Sequence, residues 1–185
     1  MGTGVVVLLN GVSSSGKSSV AKEFVKLRPD FFHLSVDDFA DWVNGMEDAQ
    51  QGRVIPVETE HYFHRVIAMF SDSGVNVVVD HILDSVTTAK DCCKVLRDYP
   101  VLLVGVHCPV EELDRREAAR RDRQPGQARG QLAFVHRREI YDVEVDTCRE
   151  DATACAARIS EAVVCDDLPR GWLQTCSKHT FDDER

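Results

Sequence analysis

Nowhere in this 185-residue chain do eighteen apolar residues follow one another, so no segment is expected to cross a bilayer as a helix. Positive charge is scarce as well. Its 22 lysines and arginines face 31 aspartates and glutamates, and a formal charge of −9 argues against nucleic acid as the main partner. No C-x-x-C pair occurs among the seven cysteines Cys92, Cys93, Cys108, Cys148, Cys155, Cys165 and Cys176. An odd, scattered set of this kind suits reduced thiols and a cytoplasmic location. The start Met-Gly-Thr-Gly-Val has no basic stretch before its apolar run, so no secretory signal is expected, and Val6 stands where N-myristoylation wants Ser or Thr. The length suits one domain able to bury a core without disulfides or metals. No feature of the sequence specifies an oligomeric state.

The most informative segment present is Gly11-Val-Ser-Ser-Ser-Gly-Lys-Ser18, a complete G-x-x-x-x-G-K-[ST] phosphate loop directly after the apolar run Val5 to Leu9. Gly11 and Gly16 tolerate dihedrals that other residues resist, so the backbone N–H groups from Gly11 through Val12, Ser13, Ser14, Ser15, Gly16, Lys17, Ser18 and Ser19 can turn inward around a polyphosphate. Lys17 is expected to reach the β and γ phosphates, and Ser18 to offer its hydroxyl to Mg²⁺. The helix that begins here would point its partly positive end at the anion. A bare eight-residue pattern can arise by chance, but here a strand precedes it, and Val20 to Leu27 follows with apolar residues at helical spacing. ATP with Mg²⁺ is therefore the expected cofactor pair.

Short β-branched runs alternate with helix-like stretches along most of the chain. Strands are expected near Val5 to Asn10, His33 to Val36, Asn76 to Asp80, Val101 to His107 and Asp142 to Asp146. Phe63, Val66, Ile67 and Phe70 form one stripe between Glu58 and Ser71, and Ala152, Cys155, Ala156, Ile159 and Val163 form another. Thr147 with Glu150 reads as a capping box for the later helix, and Pro109 with Glu111 and Glu112 opens another. The predicted architecture is α/β, a three-layer P-loop NTPase fold with a central five-stranded parallel sheet in adenylate-kinase-like order and an Arg-rich lid at about 115–130. A kinase domain over 1–165 and a partly ordered tail over 166–185 are expected, with Asn44 to Pro56 a polar loop on the ligand side.

Two strand-end acids add chemistry. Asp80 closes Gly74-Val-Asn-Val-Val-Val-Asp80 in the manner of a Walker B carboxylate, a metal ligand beside Ser18, although strands also end in Asp for turn chemistry. Asp37, at the end of Leu34-Ser35-Val36-Asp37-Asp38, is well placed to take a proton from an attacking hydroxyl, with Asp38 the expected helix cap. Arg116, Arg120 and Arg123 fall on one helical face of a basic run, and a Pro/Gly-rich stretch follows at once. Charge for a transferring phosphoryl group and hinges to bring it in are what a closing lid needs, against the alternative of a solvated charged helix. Phe39, Trp42, Tyr62 and Phe63 are divided between core and acceptor pocket by nothing in their spacing.

The segments Leu9 to Ser18, Val36-Asp37, Val104-Gly-Val-His-Cys108, Arg116 to Arg123 and Tyr141-Asp-Val-Glu-Val-Asp-Thr147 together resemble the chloramphenicol phosphotransferase family over most of residues 4 to 164. The resemblance implies ATP-dependent phosphorylation of a small-molecule hydroxyl, with Asp37 as base and Lys17 and Ser18 on nucleotide and Mg²⁺. Asp80-His81 departs from the two adjacent acids of that family, and Asn44 to Glu60 shows no match. These are the regions expected to touch the acceptor, so O-phosphorylation is better supported than chloramphenicol itself. The alternatives are a nucleotide or metabolite kinase of adenylate- or shikimate-kinase type, or a nucleotide-gated binding protein with no acceptor.

Overall fold

The computed structural model of the protein describes residues 2–119, 126–163 and 170–180. All five residues of strand β1 (Val6–Asn10) are buried, as a strand covered on both faces must be. It lies at the middle of a parallel sheet between β3 (Asn76–His81) and β4 (Val101–His107), with β2 (Phe31–Ser35) and β5 (Val143–Asp146) at the edges. The order β2-β3-β1-β4-β5 is the expected adenylate-kinase-like one.

Alternation along the strands divides the core. Val6 and Leu8 join Val77, Val79 and Leu103 under α3 (Thr59–Asp72) and α4 (Val86–Leu96). Val7 and Leu9 join Val78, Leu102 and Val104 under α1 (Lys17–Leu27) and α7 (Ala152–Val163). Three layers result. Phe24 of α1 is wholly buried, with its ring edge-on to Phe31 at 5.1 Å.

The helix starts depart from expectation in two places. Helix α2 (Val36–Asn44) is capped by Ser35, whose hydroxyl accepts the Asp38 N–H at 3.3 Å. Asp38 is therefore not the cap, because the helix begins two residues earlier and absorbs both acids into its first turn, where carboxylates suit the helix dipole. Helix α7 starts at Ala152 with the Asp151 carboxylate accepting the Ala154 N–H at 2.8 Å. The Thr147 and Glu150 capping box does not form, since Thr147 turns its hydroxyl to the Ser15 carbonyl instead. Helix α5 (Val110–Ala118) begins after Pro109 with Glu111 and Glu112 in its first turn, as expected.

The loop from Asn44 to Pro56 contains a short 3-10 turn at Ala49–Gln51, closed by a bridge between Asp48 and Arg53. Within the tail, whose residues 166–169 and 181–185 lie outside the described residues, a ten-residue helix runs over Gly171–Thr180. After α6 (Gln127–Gln131) and α7, this last helix is α8. Its Trp172 is buried in the α3/α4 core and donates its indole N–H to the Leu96 carbonyl at 2.9 Å.

The two rims of the sheet differ. At the N-terminal rim the Gly4 N–H donates to the Ser71 carbonyl at 2.8 Å, and the Val5 N–H donates to Asn76 Oδ1 at 2.9 Å. A side chain at Gly4 would collide with the Val75 backbone. The opposite rim, where β1 ends at Asn10, β2 at Ser35 and β3 just after Asp80, is the side on which open α/β sheets gather ligands.

Candidate active site

The phosphate loop leaves β1 at Asn10 and enters α1 at Lys17. A Cβ on Gly11 would stand 2.5 Å from the Val106 carbonyl oxygen, so only glycine lets the loop lie this close to β4. Gly16 has φ 97° and Ser14 has φ 62°, which curl the chain back on itself. The curl leaves the hydroxyls of Ser13, Ser14 and Ser15 buried and without a hydrogen-bond partner among the described residues. Unpaired buried hydroxyls are costly, and a phosphate oxygen is a guest that could relieve them. Val12 contributes packing, in a small cluster with Leu113, Ala128 and Val135.

Lys17 is buried, donates to the Val12 carbonyl at 3.0 Å and lies 3.8 Å from Asp80 Oδ1. Ser18 donates its hydroxyl to the other Asp80 oxygen. The strand-end acid, the loop cation and the loop hydroxyl are thus gathered at one point, although Asp80 is 62 residues from Ser18. A carboxylate and a hydroxyl side by side are the hard oxygen donors that Mg²⁺ prefers, with its remaining positions left for water and phosphate. Both residues fit that ion.

A cavity of about 800 Å³ opens above them. Ser13, Ser14, Gly16, Lys17, Ser18 and Ser19 form its floor, and Asp37, Asp38 and Asp41 of α2 form one wall with His33 of β2. Asp37 is exposed at this wall. Burial lowers the pKa of His33 against the opposing pull of Asp80 and Asp38, which keeps the imidazole neutral near pH 7. The Phe39, Trp42 and Val43 face of α2 points away from the acids and, with Met46 just past the helix, into an open apolar groove of about 580 Å³ shared with Tyr62, Val66 and Met69 of α3. Phe63 belongs to the core instead, its ring tilted against Phe39 at 5.4 Å and edge-to-face with His81 at 5.6 Å.

On the far wall Arg116 does not simply face the cavity. Its guanidinium donates to Glu112 Oε1 at 2.8 Å, to the Ser14 carbonyl at 3.3 Å and to Thr147 at both Oγ1 and the carbonyl, each at 3.0 Å. Four N–H groups are engaged, so the side chain ties α5 and the phosphate loop to the turn after β5. Arg115 lines the same cavity and pairs with Glu112 at 2.7 Å. The two arginines lower the Glu112 pKa to about 2 through their hydrogen bonds, Arg115 most strongly. Arg120 and Arg123 lie outside the described residues.

Beneath the loop is a polar layer that sequence reasoning missed. The Ser13 N–H donates to Gln131 Oε1 at 2.7 Å, and Asn10 donates from Nδ2 to the Tyr141 hydroxyl at 2.8 Å while its Oδ1 accepts the Leu83 N–H. His81, next to Asp80, accepts the Ile82 N–H at Nδ1, so its own proton sits on Nε2 and is donated to His64 Nε2 at 2.8 Å. His64 Nδ1 then donates to Asp91 at 2.7 Å. Cys92 joins His64 and His81 within 4.8 Å, a spacing that would suit a metal. That proton on His81 Nε2 occupies the lone pair a metal needs, and burial holds Cys92 as the thiol. The trio is therefore a hydrogen-bonded histidine pair beside a buried thiol.

The fold and the phosphate-loop sequence are those of a P-loop protein. A model of the chloramphenicol phosphotransferase-like protein family matches residues 4–164, and the chain belongs to that family. A protein of Mycobacterium tuberculosis strain H37Rv described as "Putative O-phosphotransferase" is 29% identical over 188 residues, covering 88% of this chain and 83% of the relative. Among solved structures, the Mycobacterium tuberculosis APS kinase in complex with AMPPNP and APS is similar with a TM-score of 0.66 and 20% identity, over 87% of this chain and 98% of that one. Shikimate kinase from Acinetobacter baumannii in complex with shikimate is similar with a TM-score of 0.61 and 17% identity, over 89% of this chain and 95% of that one. At such identities the likeness is one of fold. The family match ends before α8.

Proposed function

We propose that the protein transfers the γ-phosphoryl group of ATP, bound with Mg²⁺, to a hydroxyl of a small molecule. One observation carries this reading: Lys17, the Ser18 and Asp80 pair, and Asp37 line a single cavity, so a nucleotide floor and a carboxylate wall share one space. The volume is that of a small-molecule site. The fold of nucleotide-binding kinases and the family membership support it.

In this reading the loop N–H groups and the hydroxyls of Ser13, Ser14 and Ser15 hold the phosphates, and Lys17 neutralises charge at the transferring group. Ser18 and Asp80 hold the metal, which supplies charge neutralisation across the phosphates when bound. Asp37 accepts the acceptor hydroxyl proton as that oxygen bonds to phosphorus and the bond to the bridging oxygen breaks, releasing ADP. Arg120 and Arg123 complete the charge from the lid, and Arg116 contributes through the wall that it ties together. The acceptor is a small molecule of the antibiotic-like kind named by the family, and free thiols suit action in the cytoplasm.

Purified protein incubated with γ-labelled ATP, Mg²⁺ and a panel of hydroxyl compounds including chloramphenicol tests this directly. Label should appear on an acceptor, and Asp37→Asn should suppress it. ATP hydrolysis without any labelled acceptor, at a rate indifferent to Asp37→Asn, would overturn the kinase reading in favour of a nucleotide-gated binding protein.

A further inference from the structure

Helix α8 lies outside the family match yet makes four polar contacts with the short segment that enters β5. The Gly171 N–H donates to Asp142 Oδ1 at 2.6 Å. Thr175 Oγ1 accepts the Ile140 N–H at 2.7 Å and returns a longer bond to the Ile140 carbonyl at 3.4 Å. His179 stands 3.4 Å from Glu139, both side chains being almost fully buried. A Cβ on Gly171 would lie 2.4 Å from the Ile140 carbonyl oxygen, so the helix start is pressed onto this segment as closely as backbone allows. Asp142, held on one oxygen by Gly171, accepts the Leu103 N–H on the other at 2.8 Å.

Between these tethered residues stands Tyr141, which points the other way. Its ring covers Gly105, where a Cβ would stand only 2.7 Å from the ring, and its hydroxyl accepts the Asn10 side-chain N–H at 2.8 Å beside His136 Nδ1 at 2.6 Å. Asn10 is the last residue of β1, and the next is Gly11. Its amide oxygen accepts the Leu83 N–H at 2.9 Å, just past the strand that carries Asp80. One side chain therefore spaces the start of the phosphate loop from the exit of β3. The Tyr141 hydroxyl fixes that side chain.

We infer that α8 is a latch on the nucleotide site: Thr175 and Gly171 are positioning residues that hold Ile140 and Asp142, and through them set Tyr141 against Asn10 at the root of the phosphate loop. Nothing in α8 reaches the cavity, so its effect passes through the backbone of 139–142. A loosened segment frees the Asn10 amide, and the loop must then be ordered at the expense of nucleotide binding energy. The inference rests on the nucleotide reading of the cavity proposed above.

ATP binding measured by calorimetry on the full chain tests it without requiring an acceptor. Thr175→Val keeps the shape of the side chain and removes the hydroxyl. It should weaken ATP binding on the order of three- to tenfold, the worth of one neutral hydrogen bond. Thr175→Ser should restore wild-type affinity. Tyr141→Phe should weaken ATP binding similarly, and the double variant Tyr141→Phe with Thr175→Val should lose little more than either alone, because both cut one line of contact. Cys176→Ala, which removes buried volume from the same helix but none of its hydrogen bonds to 139–142, should lower thermal stability and leave ATP affinity unchanged. Unchanged affinity in Thr175→Val, fully additive losses in the double variant, or an equal loss in Cys176→Ala would each overturn the latch while leaving the nucleotide site standing. Wild-type protein that binds no ATP would overturn both.

Discussion

Arg116 grips Thr147 twice, through the hydroxyl and through the carbonyl oxygen, both at 3.0 Å. The same guanidinium holds Glu112 and the Ser14 carbonyl, so a flat fork of donors spans three separate segments. Arg116→Lys keeps the charge and loses the fork. It should lower kcat/KM about tenfold or more, since a point charge cannot satisfy partners on three sides. Arg115→Ala breaks an exposed, solvent-screened pair with Glu112 and should change kcat/KM by no more than a few-fold. Arg120→Ala and Arg123→Ala should lower turnover by up to about a hundredfold, the value of a lost transition-state contact, whereas Arg121→Ala should be tolerated. Equal activity in all five variants would mean a solvated charged run with no part in transfer.

Lys17→Ala should abolish measurable transfer while the protein stays folded. The cation is buried against Asp80, and removing it leaves charge on the phosphates uncompensated where water is scarce. Circular dichroism checks the fold and labelled ATP the transfer. Near wild-type turnover would remove the basis for the nucleotide floor.

Asp37→Asn and Asp38→Asn should part company. Both side chains stand in the first turn of α2 and line the cavity, and neither caps the helix. Loss of the proton acceptor at Asp37 should lower kcat by roughly 10²-fold or more with little change in ATP affinity. Asp38→Asn should keep most activity. Equal losses at the two positions would take the base assignment away from Asp37.

Stability should fall on mild acidification. Burial, reinforced by His107, lowers the His136 pKa to about 4, and burial likewise depresses His81 and His64. Above about pH 6.5 these imidazoles are neutral folded or unfolded, and the shift has no effect. Between about 6.5 and 4 the unfolded chain binds a proton at His136 that the folded chain refuses, so unfolding gains about 1.4 kcal/mol per pH unit from that residue, and the lowered His81 and His64 act in the same direction. The lowered carboxyl pKa values of Asp91 and Glu139 add their loss only at more acid pH. Urea midpoints at pH 7.5 and 5.5 should show a clear drop. A flat profile would mean that the histidines are not held neutral.

Sequence and structure agree most closely where burial leaves least freedom. The central strands are apolar throughout because both faces are covered, so their runs stand out, and the phosphate loop follows the first of them directly. Asp80 could be read for the same reason, as the polar end of an apolar run. Helix α8 was invisible because four of its five buried residues are Gly171, Thr175, Cys176 and His179, which carry little of the apolar rhythm that betrays a buried face. The fate of Arg116 was invisible for another reason. Glu112 sits one turn away, but Thr147 is 31 residues distant in sequence, and no spacing rule brings them together. Asp38 was the expected cap and Ser35 is the observed one three residues earlier, and propensity alone could not choose the helix start.

The N-terminal rim of the sheet, where Gly4 meets Ser71 and Val5 meets Asn76, stands across the sheet from every residue assigned to chemistry. Damage there is a matter of dosage. A change such as Gly4→Ala removes molecules from the folded population and leaves the surviving ones with their full rate, so it registers in a cell as scarcity of a competent enzyme.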